Sequence, residues 1–349
     1  MRVYGVWGGD MMRKRAVVLF AFLLLLCGCS ASSPAIEGTW FAMDTVMSVT
    51  AYGDTSLVGS DISEMLTEYE SKWSVTDERS EIYAANHGVM VQLSPETAEL
   101  IRFALEMNTV TDGALDITMY PVLCEWGFTT GEYRVPRDER IAELLRLRGC
   151  DKVQLTEQGI SLPEGVQIDL GAVAKGYMGD LLSERLRSDG VTSALLDLGG
   201  NIHAIGNNPD GAPWRLGIRD PFGAGNIAIL RLSDKAAVTS GGYERYFTED
   251  GVNYCHILDP ETGRPAESGL ASVTIVGKQG RLCDALSTAV YVMGEQRAVQ
   301  LWQELGGFDM ILITDDGDML VTEGIESDIS PTDVFTGELR VLRNSGLLD

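Results

Sequence analysis

Only three histidines occur in 349 residues, His87, His203 and His256, and no two stand at ligand spacing, which argues against a catalytic zinc. No C-x-x-C pair exists among the six cysteines. Cys27 and Cys29 fall in an N-terminal leader, and Cys124, Cys150, Cys255 and Cys283 are scattered. That spacing indicates neither a zinc site nor a disulfide framework. It fits ordinary buried thiols and leaves one bridge open. No G-x-x-x-x-G-K-[ST] loop is present, and no G-x-G-x-x-G follows a strand, which speaks against a Walker nucleotide site and a Rossmann flavoenzyme. Positive charge is scarce: 27 Lys and Arg face 51 Asp and Glu, for a net charge of −24. Such a surface repels nucleic acid and anionic headgroups, and solubility is its simplest purpose.

The N-terminus carries the one long apolar run. Arg13, Lys14 and Arg15 precede Ala16 to Leu26, a stretch of signal-peptide length that is short for a span. It stops at Leu26-Cys27-Gly28-Cys29, the pattern of a lipoprotein signal in which Cys29 is acylated and becomes the new N-terminus. An uncleaved anchor is the alternative, and either one places the body outside the cytoplasm. Residues 1–28 are therefore read as leader, 29–38 as tether and 39–349 as one large two-lobed domain. Without residues 1–28, which hold four positive charges and one negative, the net charge moves from −24 to −27.

Within the domain, short strand-like runs alternate with helical ones. Strands are expected at Val46–Tyr52, Val166–Leu170, Ala194–Leu198, Trp214–Ile218, Ile227–Leu232, Ala236–Thr239, Ser272–Val276, Met310–Ile313 and Met319–Val321. Tyr243–Phe247 and Val252–Leu258 flank a hairpin turn at Thr248-Glu249-Asp250-Gly251. Helices are expected at Asp61–Tyr69, Thr97–Asn108, Arg137–Leu147, Ala172–Arg187 and Arg281–Met293. Clustered strands with hairpins, broken by helices, predict an α+β domain with mixed or antiparallel sheets.

Asp169-Leu170-Gly171-Ala172-Val173-Ala174-Lys175-Gly176 is the densest chemical signal. An acidic residue ends an extended run, glycine turns the chain, and a helix opens with Lys175 in its first turn. Free N–H groups there suit a phosphate, although a structural turn with a solvated lysine reads equally well. Asp284 and Thr288 stand four apart on one helix face, with Ser287 beside them. Both are oxygen donors suited to Mg²⁺, while capping or a buried hydrogen bond is the plainer account. His256 precedes the turn Asp259-Pro260-Glu261-Thr262-Gly263 and can serve as a general base. His87 and His203 read as structural or surface groups.

In order along the chain, Phe41–Met47, Gly113–Thr118, Leu123–Phe128, Ile168–Gly176, Asp197–Asn201, Gly217–Pro221, Val238–Gly241, His256–Gly263 and Asp284–Ala289 resemble the ApbE family of FAD:protein FMN transferases. The resemblance runs over about residues 39–325. It implies an α+β flavin-transferase fold and FAD as substrate. Met43, Trp73, the turn of Gly113, Ala114, Leu115 and Asp116, then Asp169, Lys175 and Ile257 match positions that hold FAD. The Ala172 carbonyl with Asp284 and Thr288 matches the family's metal site, for Mg²⁺. The implied reaction breaks the FAD pyrophosphate, expels AMP and leaves FMN on a Thr or Ser hydroxyl of an exported or membrane redox protein. His256 is the first candidate to draw the hydroxyl proton, and Asp284 the second.

Ile117 and Tyr120 replace a Pro and a Gly common in relatives, and Cys255 replaces a second His. These departures touch contacts beside the cleft, not the fold. Three other readings stay open: an FAD pyrophosphatase, a flavin-binding lipoprotein without catalysis, and a flavoenzyme that keeps FAD for redox work. A metal site argues against the second, and the absent Rossmann loop against the third.

Overall fold

Strands that alternate at one side of the central sheet, Thr45–Tyr52 and Ser193–Leu198, give way to near-continuous apolar strands towards the other. The computed structural model describes residues 33–344; the leader and Cys29 lie outside them. Among the described residues, nine strands hydrogen-bond in the order β1 (Ile36–Ala42), β2 (Thr45–Tyr52), β5 (Ser193–Leu198), β6 (Asn201–Ile205), β9 (Ala236–Gly241), β14 (Leu270–Gly277), β15 (Phe308–Thr314), β16 (Met319–Thr322) and β18 (Leu339–Leu342). Every neighbouring pair is antiparallel except β16 with β18. β7 (Trp214–Arg219), β8 (Asn226–Leu232) and β17 (Ile329–Pro331) form a three-stranded sheet. Three small hairpins remain: β3 (Gln154–Thr156) with β4 (Gly159–Ser161), β10 (Tyr246–Glu249) with β11 (Val252–Cys255), and β12 (Leu258–Asp259) with β13 (Arg264–Pro265).

The period of two explains the layers. On β15, Met310 and Leu312 enter one core, while Ile311 and Ile313 enter another. The first core lies under the helices, and the second lies against Ile218 and Leu230 of the smaller sheet. Both faces of the large sheet are therefore covered, as its apolar runs require. A third core of Met119, Trp126, Phe128, Ile141, Leu144 and Leu258 makes a smaller lobe. The fold is α+β, as expected.

The helices are α1 (Gly59–Trp73), α2 (Glu81–Asn86), α3 (Pro95–Val110), α4 (Tyr120–Trp126), α5 (Asp138–Leu145), α6 (Ala174–Ser188) and α7 (Gly280–Leu305). The first half of α7 is buried nearly all round, and Cys283, Ala285, Leu286, Ala289 and Val290 have no exposed surface, while polar residues are frequent in its second half. A helical segment with the first half's composition belongs inside the protein. The expected end at Met293 falls on a real break, because Gly294 has non-helical φ 76° and ψ 174°.

Two expectations change. Val166–Leu170 is extended but joins no strand. Its polar groups go elsewhere: Asn86 bonds both the Ile168 carbonyl (2.8 Å) and the Ile168 N–H (2.7 Å), and the Asp169 N–H donates to the Ile117 carbonyl (2.8 Å). A side-chain amide thus does the work of a neighbouring strand. β1 begins at Ile36, inside the stretch read as tether. Its partner across the hairpin, β2, supplies the ladder that pins those residues down.

α6 and α7 meet through glycine. A Cβ on Gly176 would collide with the Gly280 carbonyl and sit 2.6 Å from the Asp284 Cβ. Gly179 and Gly280 likewise leave room only for the His203 ring. Burial pushes that ring's pKa down to about 4, with Arg187 adding to the effect. The unfolded chain takes up this proton below about pH 6.5 and the folded chain only near pH 4. His203 therefore contributes stability that is complete above pH 6.5 and lost as pH falls towards 4, about 3 kcal/mol in all. Asp180, raised to about 6 by burial, opposes this in part. Denaturant unfolding at pH 7.5 and 4.5 should show a smaller pH effect in His203→Gln than in wild type. Equal pH effects would remove His203 from this role.

Candidate active site

Each wall of the site is built by a local feature of the chain. At the β1–β2 tip, Met43 and Asp44 have positive φ (50° and 60°), as a two-residue hairpin turn needs. The Met43 N–H is held by a Glu70 carboxylate oxygen at 2.7 Å. Trp73, at the end of α1, is 5% exposed, stacks on Tyr69 and donates its indole N–H to Thr97. Gly113 turns at φ 80° and leaves open space, while Ala114 and Leu115 pack inward. Asp116 accepts from the Thr118 N–H (2.8 Å), which fixes the following turn. Gly113 and Asp116 line a cavity of about 410 Å³ with Asn108, Arg148 and Lys152. A cavity of about 550 Å³ lies elsewhere, around Arg187, His203 and Lys278, and contains no predicted site residue.

The strand-to-helix motif places Asp169 and Lys175 around Gly171. Asp169 accepts the Gly171 N–H at 2.8 Å, and the Lys175 ammonium lies 3.4 Å from the Gly171 carbonyl. At the next residue, the Gly176 N–H donates to Asp284 Oδ2 at 2.8 Å. Asp284 is 4% exposed, so this contact and an Asn201 amide N–H at 3.4 Å offset the cost of burying its charge. Thr288 lies one turn along α7, 3.5 Å from the Ser240 hydroxyl, which also bonds Ser287 at 2.8 Å.

His256 lies within reach of the Lys175 charge at the start of α6. The Arg245 carbonyl lies 3.0 Å from the His256 N–H nitrogen and 3.1 Å from Nδ1. A carbonyl only accepts, so Nδ1 carries the ring proton and Nε2 keeps a free lone pair. Burial lowers this imidazole to about 4, the hydrogen bond to the Arg245 carbonyl opposes it, and the charges of Arg245 and Lys175 add to the lowering. Burial raises Asp169, against the Gly171 N–H, Lys175 and Arg245. Glu244 rises to about 7, chiefly by burial, with Lys175 and Arg219 opposing and Asp284 adding. Asp169 and His256 are half-buried and Glu244 is exposed, yet surrounding protein dominates all three shifts. The Lys175 charge acts on all three, so they gather around the start of α6 as the lining of one cleft.

The donors suit a small hard cation. Asp284, the Thr288 hydroxyl and the Ala172 carbonyl offer oxygen only. Asn201 Oδ1 is buried beside Asp284 and has no hydrogen-bond partner, as an acceptor reserved for a hydrated ion would be. Among the described residues no cluster of three or more His, Cys, Asp or Glu exists that could hold a metal. A site with one carboxylate leaves positions for water and substrate phosphates, the usual habit of Mg²⁺. The residues fit the ion.

Some of this was out of reach in the sequence. Gly176 and Asn201 approach Asp284 across 108 and 83 residues, and no local pattern encodes such contacts. Glu244 and Arg245, expected in the strand Tyr243–Phe247, sit instead in a turn before β10. The four cysteines beyond the leader are free thiols.

An α+β domain that gathers a buried carboxylate, a lysine at a helix start and a histidine of lowered pKa suits a phosphate-bearing substrate. The chain belongs to the ApbE family, whose pattern matches residues 43–312. An FAD:protein FMN transferase of Vibrio cholerae is 32% identical over 318 residues, covering 86% of this chain and 94% of that protein. One from Treponema pallidum is 35% identical, covering 65% and 67%. The ApbE protein of Thermotoga maritima superposes with a TM-score of 0.77 at 34% identity, covering 84% of this chain and 98% of that one. The Vibrio cholerae flavin transferase ApbE gives 0.75 at 28% identity, with coverage of 84% and 98%.

Proposed function

We propose that this protein transfers FMN from FAD to a Thr or Ser hydroxyl of an exported or membrane redox protein and releases AMP. The observation that carries the reading is the convergence on Asp284. A buried carboxylate, an orphaned Asn201 oxygen and the first turn of α6 meet, and the charge of Lys175 in that same turn reaches His256. His256 Nε2 takes the proton of the acceptor hydroxyl. The oxygen attacks the FMN phosphorus, the bond to the AMP oxygen breaks, and AMP leaves with that electron pair. Lys175 orients the phosphates through its ammonium and its own N–H. The Ala174, Gly176 and Tyr177 N–H groups of that turn are already paired, contrary to the free turn the sequence suggested. Mg²⁺, when bound by Asp284, Thr288 and the Ala172 carbonyl, would stabilise negative charge on the pyrophosphate.

Cys29 would carry the lipid that holds this chemistry at the outer face of the cell membrane. The experiment is in-gel flavin fluorescence of membrane fractions supplied with FAD and Mg²⁺. A flavin band resistant to denaturation should appear with wild type and vanish when the gene is deleted. Cys29→Ala should move the enzyme out of the membrane fraction. A covalent flavin band that persists without the gene would end the transferase reading, and a membrane-bound Cys29→Ala protein of normal mass would end the lipoprotein reading.

A further inference from the structure

We propose that Arg245 is the positioning residue of His256, acting on it from two directions. The inference rests on the function proposed above and names a residue that reading does not require. The backbone carbonyl of Arg245 receives both the His256 N–H and the Nδ1 proton, one register step beyond the last pair of the hairpin, Tyr246 with Cys255. Any residue would supply that carbonyl; what differs is the side chain. Its guanidinium donates to the Phe128 carbonyl in the smaller lobe while its charge still reaches His256 and Asp169. Phe128 is 1% exposed, and its ring meets the His256 ring edge-on, with centroids 6.3 Å apart. Arg245 therefore ties the hairpin that carries the imidazole to the lobe against which the imidazole rests.

The second direction is electrostatic. Two cations act on the His256 ring, Arg245 on its own hairpin and Lys175 on α6, and both disfavour the imidazolium. Phe128, on the third side, is uncharged. A positive group close to a general base keeps it unprotonated at neutral pH, and planar arginine can do this while its fork stays on a carbonyl. Lysine would keep the charge without the fork. Methionine would keep neither, while preserving much of the apolar stem.

The test compares Arg245→Met and Arg245→Lys with wild type, and it has a readout independent of turnover. Imidazole NMR titration of His256, assigned by its absence in His256→Gln, should show the Nδ1–H tautomer in wild type. In Arg245→Met the pKa should rise by about half a unit, a modest shift because Arg245 is exposed and screened. In Arg245→Lys it should stay near wild type. FMN transfer should fall about ten-fold or more in kcat for Arg245→Met, with FAD affinity within about two-fold, and Arg245→Lys should fall between. A purely structural role would lower the unfolding midpoint and leave the His256 titration unmoved. An unshifted titration, or wild-type kcat in Arg245→Met, overturns the proposal. A wild-type protein that transfers no flavin would instead strike the proposed function, and the NMR titration would still decide the placement of Arg245.

Discussion

Asp284→Ala is expected to reduce Mg²⁺-dependent FMN transfer by at least about a hundred-fold, the scale set by removing a group aimed at charge that develops in the transition state. The physical reason is the placement of this carboxylate. It is buried, it is met by the Gly176 N–H, and a free Asn201 oxygen stands beside it. Alanine also leaves the Gly176 N–H unpaired, which costs about 1–3 kcal/mol, although removing a buried charge offsets part of that. Asp284→Asn isolates the charge, since its amide oxygen can still accept from Gly176. Thr288→Val should be milder, because water can replace a neutral hydroxyl. AMP production against Mg²⁺ concentration, with circular dichroism as the folding control, checks all three. Full activity in a folded Asp284→Asn protein would remove the cation from this site.

His256→Gln is expected to lower transfer by about a hundred- to ten-thousand-fold while FAD still binds. The base works only when unprotonated, and its pKa is lowered to about 4. The acid limb of kcat/KM should accordingly lie near pH 4 instead of near 6.5, and it should disappear in the variant. Glu244, raised to about 7, is the other cleft group that titrates in range, and Glu244→Gln separates the two limbs. Retention of most activity in His256→Gln would shift the proton to Asp284, the alternative base.

Local patterning carried most of the framework. The alternation in Ser193–Leu198 is legible because one strand period separates two layers, while Ala236–Gly241 is legible as a short apolar run buried on both faces. The turn before Val252 is legible because Asp250 and Gly251 tolerate positive φ (52° and 80°). The helix after Gly280 shows its first segment and its break, since Gly294 interrupts the apolar run. β1 was hidden because Ile36–Ala42 alternates only weakly and borrows its order from β2. Val166–Leu170 misled because its apolar run is buried by loop contacts and Asn86, which no strand period reports.

The site follows the same division. Asp169, Lys175, Asp284 and Thr288 announce themselves through a turn and a helical spacing. Gly176, Asn201 and Arg245 act through contacts that exist only once α6, α7, β6 and the β10–β11 hairpin have packed. The close approach of α6 to α7 is itself a matter of missing side chains, at Gly176 and Gly280, and a sequence pattern does not say which glycine serves a neighbour and which serves a turn.

The most direct test is a mass balance. Enzyme, FAD, Mg²⁺ and a flavin-accepting protein are combined, AMP is quantified by chromatography, and covalent flavin on the acceptor is quantified by intact mass. The account predicts one AMP for each FMN attached, and neither product in EDTA. AMP without protein-bound flavin, or FAD bound and returned intact, would contradict it.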